Sequence, residues 1–176
     1  MVFYALQDYV DEDKLDAMLK QFLIDTGFQQ PPYTDSPEFM NALSKALGPK
    51  WQPKLDDFFR KITLFDNRML AATAKKLSNG KYEITMKVHA GMVFVVGKGK
   101  QTSAAPNIPV EIGVSAASPG AGQGGKPLYL QKQMVANGDS SITVPVDSKP
   151  AEAGIDACNE WIDKVSSDNR RAVTME

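Results

Sequence analysis

The hydrophobic period of this 176-residue chain changes once, near Ile62, and that change limits the fold more than any motif does. Before it, apolar residues recur at helical spacing. After it, they alternate or gather in β-branched runs. A chain patterned this way reads as α+β: a helical segment of three to four helices over residues 1–61, an antiparallel immunoglobulin-like β-sandwich over 62–148, and an irregular, anchored tail over 149–176. The length suits one domain or two small ones, since domains run on the order of 100–150 residues.

The helices announce themselves by spacing and by their ends. Leu15, Met18, Leu19, Phe22 and Leu23 recur at i, i+3, i+4, i+7 and i+8, with Asp11 as N-cap and Gly27 as stop. Phe3, Leu6 and Val10 mark a shorter helix before it, whose first turn is expected to lie ahead of Met1. After the Gln29–Pro32 break, Ser36 and Pro37 read as N-cap and first turn of a third helix, with Phe39, Met40, Leu43 and Leu47 on its buried side. Leu55, Phe58 and Phe59 suggest a short fourth one from Pro53 to Lys61.

From Arg68 onward, turn residues separate strand-like runs. Asn79-Gly80 between two such runs predicts a type I′ hairpin, because both central positions of that turn need positive φ. In the run after it Tyr82, Ile84, Met86 and Val88 face one way, and Glu83, Thr85, Lys87 and His89 the other. Further strands are expected at Met92–Val96, Ile108–Ser115, Leu128–Met134 and Ser141–Val146, with Asn137-Gly138 at a turn, for a total of about seven. The tail carries Pro150 and Gly154 beside Ile155, Trp161, Ile162 and Val165, more apolar mass than a solvated terminus holds. Ile155, Trp161 and Ile162 are therefore read as anchors, and Asp156, Asp163 and Asp168, with Asn159 and Asn169, as local caps of an irregular backbone, the alternative being that they meet another domain.

Charge and composition remove several functions. A net charge of -1 and a pI near 5.9 give no pull toward nucleic acid or anionic lipid, so neither partner is expected. No apolar run approaches the roughly 20 residues that span a bilayer, and the start lacks signal-peptide order, so a soluble chain is expected. The single cysteine, Cys158, excludes an internal disulfide and leaves the compartment open. It reads as an inert thiol, far from any C-x-x-C partner.

Catalytic equipment is sparse. His89 is the only histidine, so a zinc H-E-x-x-H pair, a Ser-His-Asp triad or a Cys-His pair of standard form is not available within this chain. Gly120–Lys126 satisfies G-x-x-x-x-G-K but continues with Pro127 where magnesium binding needs Ser or Thr, and it reads as a hairpin loop. The acids at Asp8, Asp11, Glu12 and Asp13, and at Asp56 and Asp57, lack calcium-loop periodicity; the first group suits a helix start. No catalytic, metal or cofactor-binding residue is assigned.

The tail P-A-E-A-G-I-D-A-C-N-E-W-I-D-K-V-S-S-D-N resembles the end of bacterial zinc metallopeptidases of the aminopeptidase N family, of the kind fused to ABC-transporter permease segments. Upstream, F-Y-A-L-Q-D-Y-V-D-E-D-K-L-D-A-M-L-K-Q-F-L looks like the helices that close such a catalytic domain. L-D-D-F-F-R-K-I-T-L-F-D-N-R resembles the bridge into a following sandwich, and N-G-K-Y-E-I-T-M-K-V-H-A, G-K-G-K and K-P-L-Y-L-Q-K-Q follow in the order that sandwich would have. Ala157 and Cys158 depart from the pattern, standing where Pro and an aromatic residue are expected.

The resemblance implies a C-terminal scaffold and docking portion of a metalloaminopeptidase, whose partner is the catalytic domain of the same polypeptide. The family's zinc ligands, its substrate-amine-binding glutamate and its catalytic tyrosine fall on sequence before Met1, so Tyr4 and Tyr9 take no such role. It also implies a membrane-associated parent, on either side of the membrane. A fragment of this kind would expose the apolar faces of Phe3, Leu6, Phe22 or Phe39 and self-associate. The contrasting reading is a free-standing β-sandwich module that binds a peptide, glycan or protein surface through its loops, including Gly113–Lys126.

Overall fold

The computed structural model describes residues 2–116 and 127–176, and divides the chain into two compact units, Met1–Ile62 and Thr63–Glu176. Gly120–Lys126, the G-x-x-x-x-G-K run, lies outside the described residues. The described residues form an α+β protein with four helices and three sheets of mostly antiparallel strands.

In the first unit, α1 (Val2–Tyr9), α2 (Glu12–Thr26), α3 (Ser36–Leu47) and α4 (Gln52–Leu55) pack around Leu6, Leu15, Met18, Leu43, Leu47 and Leu55. Helix α2 starts where Asp11 accepts a hydrogen bond from the Lys14 amide and stops where the Gly27 amide reaches the Leu23 carbonyl. Its apolar stripe is only partly used, since Leu15 and Met18 are buried whereas Leu23 is 69% exposed. Helix α3 is capped by Asp35, one residue earlier than the sequence suggests. Asp35 Oδ1 accepts from the Glu38 amide at 3.0 Å and Glu38 Oε2 accepts from the Asp35 amide at 3.3 Å, a reciprocal capping box closed to Ser36 because the residue three places after it is Phe39, which has no acceptor to reach back. Helix α4 runs on into a π-helical turn, Asp56–Arg60, in place of a regular helix to Lys61. There Asp56 and Asp57 form i,i+4 ion pairs with Arg60 and Lys61.

In the second unit, β2 (Arg68–Lys76), β3 (Tyr82–Ala90) and β8 (Gly138–Val146) pair antiparallel, and β11 (Thr174–Met175) joins β2 in parallel. A second four-stranded sheet has the order β10-β9-β6-β7, built from Arg170–Ala172, Glu152–Ile155, Val110–Ser115 and Tyr129–Gln133. The third sheet is β1 (Ile62–Phe65), β4 (Met92–Val95) and β5 (Gln101–Ala104). Side chains from both four-stranded sheets share one buried cluster, in which Ile84, Met86 and Val88 meet Val110, Ile112, Val114 and Ile155.

Two further expectations change in the β unit. The Asn79-Gly80 turn is not type I′, because only Gly80 has positive φ (84°). The Gly80 amide bonds the Leu77 carbonyl and the Leu77 amide bonds Lys81, which makes a type I turn closed by a left-handed glycine, the form suited to a three-residue loop. The tail is not irregular throughout, because Glu152–Ile155, Arg170–Ala172 and Thr174–Met175 are strands of the two larger sheets. Such short runs carry no period of their own, and their pairing is set by long-range partners.

Candidate functional site

The tail residues singled out by sequence fold into one turn-rich segment between β9 and β10, and backbone hydrogen bonding explains its form. The Asp156 amide leaves β9 and donates to the Glu111 carbonyl of β6 at 2.7 Å. Asp156 then takes positive φ (50°), which Asp tolerates better than most residues. Its side chain accepts from the Glu160 amide at 2.9 Å and the Trp161 amide at 3.4 Å, holding residues 156–161 in a closed turn. The Asp156 side chain is fully buried. Burial pushes its carboxyl up to about 6, against the opposing pull of those two amides, with the charges of Asp163 and Glu111 adding to the rise.

Asp163 performs a second capping step. Its Oδ2 accepts from the Asn67 amide and its Oδ1 from the Val165 amide, both at 2.8 Å. Burial raises this carboxyl above the usual range as well, opposed by those same amides. The neighbouring backbone is stitched to β1, with the Phe65 amide donating to the Ile162 carbonyl and the Lys164 amide to the Phe65 carbonyl. Lys164 and Arg68 bind the Asp66 carboxylate at 3.2 and 2.9 Å. Partial burial of Asp66 opposes its ionisation, yet these hydrogen bonds and charges hold its carboxyl below the usual range.

Trp161 is buried and its ring lies 5.0 Å from that of Phe65, inclined by 33°. Ile155 is buried in the core between the sheets. Ile162, expected as an apolar anchor, is 41% exposed, and it is held by its carbonyl and not by its side chain. Asn169 is buried and accepts the Ile155 amide through its backbone carbonyl, while its side-chain amide has no partner among the described residues. Asp168 is half-buried and its Oδ1 likewise accepts no hydrogen bond there, so its expected capping role is not made by that oxygen.

The turn also has a seat that sequence reading missed. Gly113 of β6 and Gly154 of β9 face each other in register, and a Cβ on Gly113 would lie 2.6 Å from the Ala157 Cβ. A second glycine in a paired strand is the signal available in the sequence, since it marks a close approach of other chain. Glu111, Glu152 and Glu160 are buried acids that sequence reading also passed over, each 7% exposed or less. A glutamate within the apolar run Val110–Val114 was the visible clue.

The chemistry of this segment is quiet. Burial of the Cys158 sulfur, with a hydrogen bond to Glu111 and the charges of Glu111 and Glu160, pushes its thiol up to about 12, although the residue as a whole reaches solvent. A thiol in that state supplies almost no thiolate at neutral pH. His89 lies half-buried on β3, its Nδ1 2.5 Å from Asp139 Oδ1 on the neighbouring strand in register. Among the described residues no helix is long and apolar enough to cross a membrane. Comparison of the chain with protein-family models, curated proteins and solved structures gives no match.

Proposed function

We propose that this chain is the C-terminal scaffold and docking portion of an aminopeptidase N-like zinc metallopeptidase of the kind joined to ABC-transporter permease segments, with its β unit an immunoglobulin-like sandwich. The carrying observation is the role of the residues behind the resemblance. In G-I-D, W-I-D and D-N, Asp156 and Asp163 cap backbone amides, Ile155 and Trp161 are buried, and Asn169 bonds β9. Side chains committed to holding the tail are a reason for that tail sequence to accompany one fold. They also speak for a structural role, because none of them is a nucleophile, base or metal ligand poised in a cleft.

The parent reaction is zinc-assisted removal of an N-terminal residue from a peptide, with the metal activating water and polarising the scissile carbonyl. Its H-E-x-x-H pair has no counterpart here, where His89 is the sole histidine. The purified chain should contain no stoichiometric zinc and hydrolyse no aminoacyl-anilide; metal-dependent turnover by it would overturn the reading. An antibody against this chain should precipitate a longer native polypeptide with chelator-sensitive aminopeptidase activity. A 19.2 kDa native product without that activity would favour the free-standing binding module instead.

A further inference from the structure

The helical unit carries a pocket of about 520 Å³ that the scaffold reading does not use. Phe3, Phe22, Phe39, Phe59 and Met40 line it together with Thr34, Asp35 and Ser36. The rings are inclined to one another: Phe3 meets Phe59 at 5.4 Å and 63°, Phe22 meets Phe39 at 5.1 Å and 81°, and Phe3 meets Phe39 at 5.8 Å and 59°. In an edge-to-face pair the ring that offers its edge keeps both of its own faces clear of that contact, so π surface remains for a third group.

We propose that this pocket docks an arginine side chain of a partner protein, with its guanidinium against the phenyl rings and its charge answered by Asp35. The charge pattern selects a cation, because Asp35 is the only charged residue in the lining. Asp35 Oδ1 serves the Glu38 amide of the capping box, and Oδ2 accepts no hydrogen bond among the described residues. A wholly apolar occupant would desolvate that carboxylate with no compensation. A lysine ammonium is compact and strongly hydrated, whereas guanidinium is planar, weakly hydrated and stacks on aromatic rings. The methylene stem of arginine matches the Phe and Met walls.

The test is an amide-detected NMR titration of the full chain with three blocked tripeptides, Gly-Arg-Gly, Gly-Lys-Gly and Gly-citrulline-Gly. Citrulline keeps the shape of arginine without its charge. Saturable shifts are expected at residues 3, 36, 39 and 59, with the arginine peptide binding roughly fivefold more tightly than the citrulline peptide. Asp35→Asn, which retains an N-cap acceptor, should erase that difference, and Phe3→Ala at the exposed edge should weaken both peptides. Equal binding of citrulline, equal or tighter binding of lysine, or saturable shifts confined to other residues would each overturn the proposal. So would the absence of saturable shifts with the wild-type chain. None of these outcomes depends on whether the parent is an aminopeptidase.

Discussion

In the helical unit the buried residues come from consecutive helices, and the caps at Asp11 and Asp35 reach only three residues along the chain. The β unit is closed differently. Asp163 caps the amide of Asn67, 96 residues away, and β11 at the end of the chain pairs with β2 near the unit's start. Local contacts form at little loop-closure cost, whereas each long-range one must hold together a large loop. The β unit is thus closed by long-range contacts from its tail over a core shared by two sheets, whereas the helix caps of the first unit are local.

Trp161→Ala should break this contrast most severely. Removing a buried indole that packs on Phe65 should destabilise the β unit by about 3–5 kcal/mol, read as lost hydrogen-exchange protection of β3 and β6 amides in parallel. Unchanged protection would mean the tail is not what closes the unit.

Asp156 should produce the next effect, and its sign is unusual for a carboxyl. Its folded value of about 6 stands above the ordinary 3.8, so the folded state holds the proton more tightly than the unfolded chain does. The stability this gives is fully present below about pH 4 and is lost as pH rises through about 6, to a total of roughly 3 kcal/mol. Urea unfolding at pH 4.5 and 7.5 should show this dependence in the wild-type chain and a shallower one in Asp156→Asn. An identical profile in both would refute the assignment.

Gly113→Ala tests the seat beneath the turn. A Cβ 2.6 Å from that of Ala157 forces the two strands or the turn to shift, at a cost of about 1–3 kcal/mol in a thermal melt. The double change Gly113→Ala with Ala157→Gly should recover part of the loss. The smallest effect belongs to the helical unit: Asp35→Ala removes the side-chain half of the α3 capping box, the acceptor for the Glu38 amide, for about 1 kcal/mol, measured as faster exchange of the α3 amides. A loss as large as that at Trp161 would erase the difference between the two units.

Legibility in the sequence follows the same division. Leu15, Met18, Leu43 and Leu47 were readable as core because their neighbours at helical spacing point the same way. The α3 cap falls at Asp35 and not at Ser36: both residues suit the position, and the deciding partner is the Glu38 side chain. Strand β3 was readable from its alternation, whereas β9, β10 and β11 were not, being two to four residues long and defined by their partners. Within the tail, the burial of Ile155 and Trp161 followed from their apolar size. Exposed Ile162, held through its carbonyl, shows where that argument ends.

The sequence by itself determined the change from helix to strand near Ile62, the ends of α2, the facing of β3 and the need to bury the tail, all through periods and caps that act over a few residues. Tertiary structure alone decided that Asp156 turns inward to cap two amides, that Asp163 reaches Asn67, that Gly113 makes room for Ala157, and that four phenyl rings gather beside Asp35. Apart from the Asp156 turn, whose bonds reach only four and five residues, these contacts join residues far apart in the chain or on different helices. No local period encodes them, because their energy exists only once the partner surface has formed.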